Sequence, residues 1–292
     1  MKNKNTIPEN AFDVISFILL ILFTFCCIYP FYYVIIGSVS SGPTPYFWPK
    51  GFNLLTYKSI FTQSDIYSAF FISLSRTVTG TALSVFFTSM LAYLATKREM
   101  WLRKVIYRYF LVTMYVSGGF IPWYITMKAY GLKNNFFLYI IPGIIAVFNM
   151  ILVKTFIESL PPSLEESADL DGAGFLSIFL YIILPLIKPI LATITVFTAV
   201  FQWNTWIDNY FLVTAKNLQT LQLLLYNYLN QAQELANSMK NGYNTSGGLT
   251  VSISAASVQM TMIVISVVPI MLVYPFAQKY FTKGIMLGAV KG

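Results

Sequence analysis

A long run of apolar residues near the N-terminus restricts the possible folds of this chain more than any other feature. Residues 14–36 contain no Asp, Glu, Lys or Arg, and about 20 apolar residues in a helix can cross the hydrocarbon core of a bilayer. Because backbone polar groups in lipid must be bonded internally, such a run is expected to be helical. Further apolar stretches recur at residues 78–95, 105–127, 136–156, 186–206 and 258–277. The predicted fold class is therefore all-α, a polytopic membrane protein with six transmembrane helices in one domain over residues 1–292.

The composition excludes several classes of function. Charged residues make up 10% of the chain, whereas soluble domains contain about a quarter. The sequence has no His, which excludes Ser-His-Asp triads and zinc sites that use imidazole. It also lacks the GxxxxGK[ST] pattern, which excludes a P-loop nucleotide site of its own. We therefore expect a passive membrane conduit rather than an enzyme, with no catalytic residue, metal ion or cofactor bound by this chain.

The distribution of basic residues predicts the orientation of the spans in the lipid. The formal net charge is +8, but the basic residues form no stripe of the kind that binds nucleic acid, so no nucleic-acid partner is expected. The densest basic group lies between the second and third spans and consists of Lys97, Arg98, Arg103, Lys104 and Arg108. Since such residues mark cytoplasmic ends, both termini are expected in the cytoplasm. Arg76 then lies outside the cell, and the other segments are a cytoplasmic loop 157–185, an external loop 208–257 and a cytoplasmic tail 278–292.

The cytoplasmic loop has the pattern of two short helices joined by a tight turn. Ser163 can cap the first helix, and Glu166, three residues later, completes a capping box. Gly172 stands where a helix would end in the left-handed conformation. The second helix is expected at residues 175–184 and should stop at Pro185, because proline lacks an N–H and clashes with the preceding turn. The fifth span is then expected to begin one residue later.

The spacing of residues in this loop resembles the signature of a known family. Glu166-Ser167-Ala168, three further residues, Gly172, nine further residues and Ile182-x-Leu184-Pro185 are similar to the E-A-A-x3-G-x9-I-x-L-P loop of ABC importer permeases, with Ser167 in place of the usual Ala. The segments AYLATKR, SGGFIP, FQWNTW and KGIMLGAVKG resemble the carbohydrate branch of that family, which includes the smaller permease of the maltose importer and related oligosaccharide permeases. The resemblance covers nearly the whole chain.

The resemblance implies that the coupling loop, residues 157–185, docks its first helix on a cytoplasmic ATPase. The implied ATPase-docking residues are Glu166, Ser167, Ala168, Asp171, Gly172, Leu184 and Pro185. It also implies that the tail reaches the ATPase, through Gly284, Gly288, Lys291 and Gly292. A capping role alone is the alternative for Glu166, and a disordered end is the alternative for the tail.

The resemblance also implies partners and a location in the bacterial cytoplasmic membrane, surrounded by lipid. A second, different permease subunit would complete a heterodimeric pathway, two ATPase subunits would use ATP and Mg, and an extracellular solute-binding protein would deliver a carbohydrate. A uronate oligosaccharide, a polyol or a peptide is the alternative cargo. An ion-coupled secondary carrier is disfavoured, because such carriers place ionisable groups at mid-membrane and these predicted spans carry them only near their ends.

Polar and aromatic residues near the outer end of the fifth span are candidates for the substrate pathway. Aromatic faces, amides and carboxylates suit a sugar, and this group contains Gln202, Trp203, Asn204, Trp206 and Asp208. An aromatic belt at the membrane interface is the alternative. Tyr115 in the third span and Asn149 in the fourth are further candidates, and hydrogen bonds between helices would explain them equally well.

Overall fold

The structure, a computed structural model, describes residues 9–40, 47–49, 51–240 and 255–289. These residues are mostly helical and contain no named strand. Within them, one isolated antiparallel bridge joins Ser40 and Phe52. The predicted all-α fold class is therefore confirmed.

The chain divides into two compact units, residues 1–62 with 225–267 and residues 63–224 with 268–292. In chain order, the α-helices of the described residues are α1 (Glu9–Val39), α2 (Leu55–Phe61), α3 (Ser64–Thr96), α4 (Arg103–Tyr115), α5 (Phe120–Ala129), α6 (Val147–Ile157), α7 (Ser163–Leu170), α8 (Phe175–Ile178), α9 (Leu184–Leu186), α10 (Lys188–Asn204), α11 (Ile207–Leu212), α12 (Leu221–Lys240) and α13 (Ala255–Ala289). Three 3₁₀ turns occupy Phe136–Tyr139, Ile141–Gly143 and Lys216–Leu218, and a π-helical turn occupies Phe179–Ile183.

Three helical segments are long and apolar enough to cross a membrane: Phe12–Val39, Ser64–Thr96 and Ala256–Pro275. Three further pairs of consecutive helices meet the same criterion only if each bent pair is one span, so the described residues hold three to six spans. The six predicted spans overlap these three segments and three bent pairs in the sequence. Helix α12 lies within the predicted external loop 208–257, while residues 241–254 of that loop lie outside the described residues.

The predicted third span, residues 105–127, is not one continuous helix. Helix α4 ends at Tyr115 and α5 begins at Phe120, with a bend of 119° between them. Gly119, at this break, has a φ of +82°, a conformation that residues with a Cβ atom rarely adopt. Gly119 therefore allows a change in chain direction that the apolar pattern does not predict.

The predicted second and fourth spans also need correction. Helix α3 begins at Ser64, well before the predicted start at Val78, and it therefore includes Arg76. The fourth span is split into 3₁₀ turns over residues 136–143 and helix α6, which are bent by 47°. A 3₁₀ turn is wound more tightly than an α-helix, and it rarely extends beyond a few residues.

The second helix of the coupling loop does not stop at Pro185. It continues from α8 through the π-helical turn into α9, which contains Pro185, and the chain then bends by 83° before α10 begins at Lys188. In a π turn each backbone N–H bonds to the carbonyl five residues earlier instead of four. The turn that precedes Pro185 therefore already departs from the α-helical hydrogen-bond pattern. The bend follows at Ile187, where the N–H still donates to the Ile183 carbonyl at 3.0 Å.

In the second unit, α3 packs along α10 and α6. The approach of α3 and α10 is close, because a Cβ atom at Gly80 would lie 2.6 Å from Nε2 of Gln202. The apolar core near the end of α3 contains Tyr93, Met150 and Phe179, none of which exposes any surface. This core fixes the α8 end of the coupling loop against α3.

In the first unit, α1 meets the N-terminal half of α13. The hydroxyl of Thr261 donates to the Ser38 carbonyl at 3.4 Å, and a Cβ at Gly37 would clash with Sδ of Met260. None of the residues in the most apolar stretch of α1 is buried within this chain. Such an exposed apolar surface suits lipid or another membrane subunit.

Candidate functional site

The candidate site is the elbow, which consists of α7, the Gly172 turn and α8 (residues 163–178). Gly172 has a φ of +78°. Its N–H donates to the Asp169 carbonyl at 3.0 Å, and the N–H of Ala173 donates to the Ala168 carbonyl at 3.0 Å. These two bonds form a Schellman C-cap, which ends a helix at a left-handed residue. The conformation predicted for Gly172 is therefore observed.

The N-terminus of α7 differs from the prediction. Pro162 is the N-cap residue, and no side chain caps the helix. The N–H groups of Glu165 and Glu166 both donate to the Pro162 carbonyl at 3.1 Å, while the Ser167 hydroxyl donates to the Ser163 carbonyl at 2.8 Å. The predicted capping box is wrong, because Pro162 already has a helical φ of −64° and starts the helix one residue earlier. The Glu166 carboxylate is thereby left available for another role.

The outer and inner faces of α7 have different surroundings. Glu166, Ser167 and Asp171 are exposed, and Leu170, which sequence reasoning missed, is 89% exposed. Ala168 is only 7% exposed and belongs to the apolar core. A fully exposed leucine beside a carboxylate gives the outer face both an apolar and a charged contact point.

Two other implied docking residues lie beyond the elbow. Leu184 and Pro185 belong to α9, after the π-helical turn. Leu184 packs against the apolar core, whereas Pro185 is exposed. The structure thus places Glu166, Ser167 and Gly172 on one short surface element, and it places the Leu-Pro pair on the helix that leads to α10.

Two kinds of contact, neither predicted, fix the elbow to the end of α3. Lys97, the C-cap residue of α3, forms an ion pair with Glu165 of α7. The Lys97 ammonium lies 4.6 Å from the centroid of the Tyr93 ring and 5.9 Å from that of Phe175. Tyr93 in turn stacks on Phe175 and Phe179, with centroid distances of 4.7 and 5.5 Å. Both helices of the elbow therefore contact α3.

The Lys97–Glu165 pair is partly shielded from water, and the Lys97 ammonium stays charged near neutral pH. Its two side chains are 17% and 24% exposed. Burial acts to lower the pKa of Lys97, but its hydrogen bond to Glu165 and the other neighbouring interactions outweigh burial and raise that pKa above its ordinary value. A raised lysine pKa stabilises the fold fully below the unfolded value, about 10.4, and this contribution is lost only as pH rises through the folded pKa.

A cleft of about 1130 Å³ lies beside this ion pair. Its lining includes Arg98, Arg103, Glu158 and Glu166. Nη2 of Arg103 lies 3.6 Å from Oε1 of Glu158, and the same oxygen accepts a hydrogen bond from Lys154 at 2.6 Å. The cleft therefore presents charges of both signs next to the outer face of α7.

A second polar cluster surrounds Arg76, which is only 2% exposed. Its guanidinium donates to both carboxylate oxygens of Asp208, at 2.6 and 3.1 Å. It also donates to Oε1 of Gln202 and to the Thr205 carbonyl, each at 3.0 Å, and it lies 4.6 Å from the centroid of the Tyr139 ring. Asp208 therefore compensates the charge of Arg76 inside the fold.

Four of the substrate-pathway candidates are buried within this chain: Asn149, Gln202, Trp203 and Asp208, with exposures of 7%, 3%, 5% and 8%. The Asn149 amide donates to the Thr198 hydroxyl at 3.2 Å, and the Trp203 ring meets Phe70 edge to face at 6.2 Å. The Asn149 bond agrees with its alternative of hydrogen bonds between helices, and a substrate role for Gln202, Trp203 and Asp208 stays a prediction.

The other candidates are more accessible. Tyr115 is 80% exposed, Asn204 is exposed and Trp206 is half-buried. The tail residues Gly284 and Gly288 lie within α13, which continues to Ala289, whereas Lys291 and Gly292 lie outside the described residues. Their contact with an ATPase stays a prediction.

Comparison with known proteins gives consistent relatives over the whole chain. The family model described as "Binding-protein-dependent transport system inner membrane component" matches residues 84–287. The chain is 35% identical to the polygalacturonan/rhamnogalacturonan transport system permease protein YtcP of Bacillus subtilis (strain 168), over 100% of both chains. It is 27% identical to the melibiose/raffinose/stachyose import permease protein MelC of the same organism, over 90% of this chain and 91% of that protein.

A solved structure shows the same fold. The chain is similar, with a TM-score of 0.84 and 30% identity, to a chain from the crystal structure of a bacterial ABC transporter involved in the import of the acidic polysaccharide alginate, over 96% of this chain and 100% of that one. The resemblance to carbohydrate-type ABC importer permeases is thereby confirmed, and members of that group are transport subunits rather than enzymes. The chain belongs to the family of inner-membrane components of binding-protein-dependent transport systems, the permeases of ABC importers.

Proposed function

We propose that this chain forms half of a heterodimeric translocation pathway in a bacterial cytoplasmic membrane. A second, different permease subunit completes the pathway, two cytoplasmic ATPase subunits hydrolyse ATP with Mg, and an extracellular solute-binding protein delivers the cargo. The elbow supports this role, because its outer face exposes Glu166 and Leu170 while Ala168 secures its inner face to the core.

The charge distribution supports a cytoplasmic elbow and cytoplasmic termini. The basic segment 97–103 contacts the coupling loop through the Lys97–Glu165 and Arg103–Glu158 pairs. The two segments therefore lie on the same side of the membrane, and the basic residues favour the cytoplasmic side. Membrane lipid surrounds the spans in this arrangement.

We propose an oligosaccharide that contains uronate residues as the cargo. The single observation that carries this choice is the 35% identity, over both whole chains, to a permease named for polygalacturonan and rhamnogalacturonan. The permease named for neutral sugars of the raffinose group is 27% identical. Arg76 does not supply the site for the uronate carboxylate, because Asp208 and Gln202 already occupy its guanidinium.

The test is transport by the reconstituted complex. The chain is purified with the second permease, ATPase and binding protein encoded in neighbouring reading frames, and the complex is placed in proteoliposomes. Oligogalacturonate should stimulate ATP hydrolysis and enter the vesicles, whereas raffinose at the same concentration should do neither. Stimulation by raffinose alone would show that the cargo is a neutral sugar, and import by this chain without an ATPase would contradict the proposed class of transporter.

A further inference from the structure

The elbow is joined to the rest of the second unit by two kinds of connection. The first is the chain itself, which enters the elbow from α6 and leaves it from α8 through the π-helical turn and α9 into α10. This route includes the 83° bend before Lys188. A movement of the elbow that is transmitted along this route must therefore pass through the π-helical turn and the bend.

The second connection is made by side chains and leads to α3. Lys97 at the end of α3 is paired with Glu165 on α7, and the Tyr93 ring of α3 stacks on both Phe175 and Phe179. The Tyr93 side chain exposes 0% of its surface. The contact therefore combines a charge pair with aromatic stacking on the buried Tyr93 ring, and it involves both helices of the elbow.

Helix α3 leads from this contact to the far polar cluster without a break. It is a single helix of 33 residues, and Arg76 precedes Lys97 by 21 positions in the sequence. At 1.5 Å per residue the two positions are separated by about 31 Å, which is about the thickness of the hydrocarbon core. At its far position, Arg76 is bonded to Gln202 on α10 and to Asp208 on α11.

We propose that Lys97 and Glu165 act as a strut that transmits movement of the elbow directly to α3, in parallel with the covalent route to α10. Through α3 the movement reaches the Arg76 cluster, where α3 is bonded to α10 and α11. Lys97 and Glu165 are positioning residues in this account, since they act through α3 and contact no cargo. The proposal rests on the proposed function, because it takes the elbow to be moved by an ATPase.

The test measures how much ATP the complete transporter hydrolyses for each sugar that it imports. Lys97→Met and Glu165→Gln each remove one charge of the strut and leave Gly172, Leu170 and Glu166 in place for docking. Each variant should bind the ATPase normally but raise the ratio of ATP hydrolysed to sugar imported by about threefold or more, which is within the range by which single contacts modulate coupling. Lys104→Met and Glu99→Gln are matched controls, because they remove the same charges from exposed positions nearby. These controls should keep the wild-type ratio.

Charge reversal separates a transmitting role from a merely stabilising one. Lys97→Glu and Glu165→Lys place like charges together, and the double variant restores an ion pair with the opposite direction. We expect the double variant to have a lower ATP-to-sugar ratio than either single reversal, while melting temperature and yield of the complex report stability separately. If variants that assemble show the wild-type ratio, or if the double variant is no better coupled than the singles, the strut proposal is wrong. If the wild-type complex shows no ATP-dependent import of any sugar, the proposed function itself fails.

Discussion

At position 172 the backbone adopts a conformation that only glycine takes without strain. Gly172 has a φ of +78°, whereas Gly174 has a φ of −71°, and a Cβ at either position would meet nothing within 4 Å. The two glycines therefore differ in backbone conformation but not in available space.

We predict that Gly172→Ala impairs coupling whereas Gly174→Ala does not. A Cβ in the left-handed region costs about 1–2 kcal/mol, so the elbow of the first variant should relax away from its Schellman turn. Binding-protein-stimulated ATP hydrolysis of the assembled complex is the measurement, and it should fall only for Gly172→Ala. Equal activities in the two variants would show that the turn conformation is not important for coupling.

A second prediction at this scale concerns the buried pair of Arg76 and Asp208, whose side chains are 3% and 10% exposed. Arg76→Met leaves the Asp208 charge buried without its partner, and breaking such a pair costs about 3–5 kcal/mol. The double variant Arg76→Met with Asp208→Leu should recover most of this loss, because neither charge remains. Thermal unfolding of the detergent-solubilised chain measures both effects, and a double variant less stable than the single one would contradict the explanation.

At the scale of helices, the contact between α3 and α10 depends on the absence of a side chain at Gly80. A Cβ there would lie 2.6 Å from the Gln202 amide, and that amide is held by Arg76 and by the Tyr139 carbonyl. Gly80→Val should separate the two helices and destabilise the chain by about 1–3 kcal/mol, as overpacking of a core does.

Thr79→Val is the matched control for this prediction, since Thr79 is the exposed neighbour on the same helix. Melting temperature and yield in detergent measure the two variants. Equal stability of Gly80→Val and Thr79→Val would mean that α3 and α10 can move apart at little cost.

The bends of the helices could not be predicted from the apolar pattern. Gly118-Gly119 lies inside an apolar run, and only the structure shows that the chain bends there by 119°. At Pro185 the pattern predicted the end of a helix, because a proline normally ends one. Here the π-helical turn lets the helix continue to Leu186. In both cases the outcome depends on how neighbouring helices pack, which a local pattern does not contain.

At the scale of the whole molecule, the C-terminal segment is predicted to contribute to assembly with the ATPase. Helix α13 continues to Ala289, beyond the segment able to cross a membrane, which ends at Pro275. Deletion of residues 284–292 should leave membrane insertion unchanged but lower ATPase co-purification and stimulated hydrolysis. Deletion of residues 291–292 alone is the graded control and should have a smaller effect. Wild-type co-purification and hydrolysis after the longer deletion would contradict the prediction.

The sequence by itself determined the all-α membrane class, the apolar segments long enough to cross a membrane and the left-handed turn at Gly172. Each of these depends on residues that are close together in the chain: an apolar run, or a glycine just after a short helix. Membership of the permease family was also readable, because the loop signature lies within one continuous segment of twenty residues, Glu166 to Pro185.

Only the tertiary structure decided which distant residues meet. Lys97 and Glu165 are 68 positions apart, and Arg76 and Asp208 are 132 positions apart. Each pair exists because particular helices pack side by side, and for Arg76 and Asp208 burial makes an isolated charge so unfavourable that its partner must be close. Local sequence patterns predict whether a residue can lie in lipid or in a turn. The partner of a buried charge is determined by how the helices of the whole unit pack.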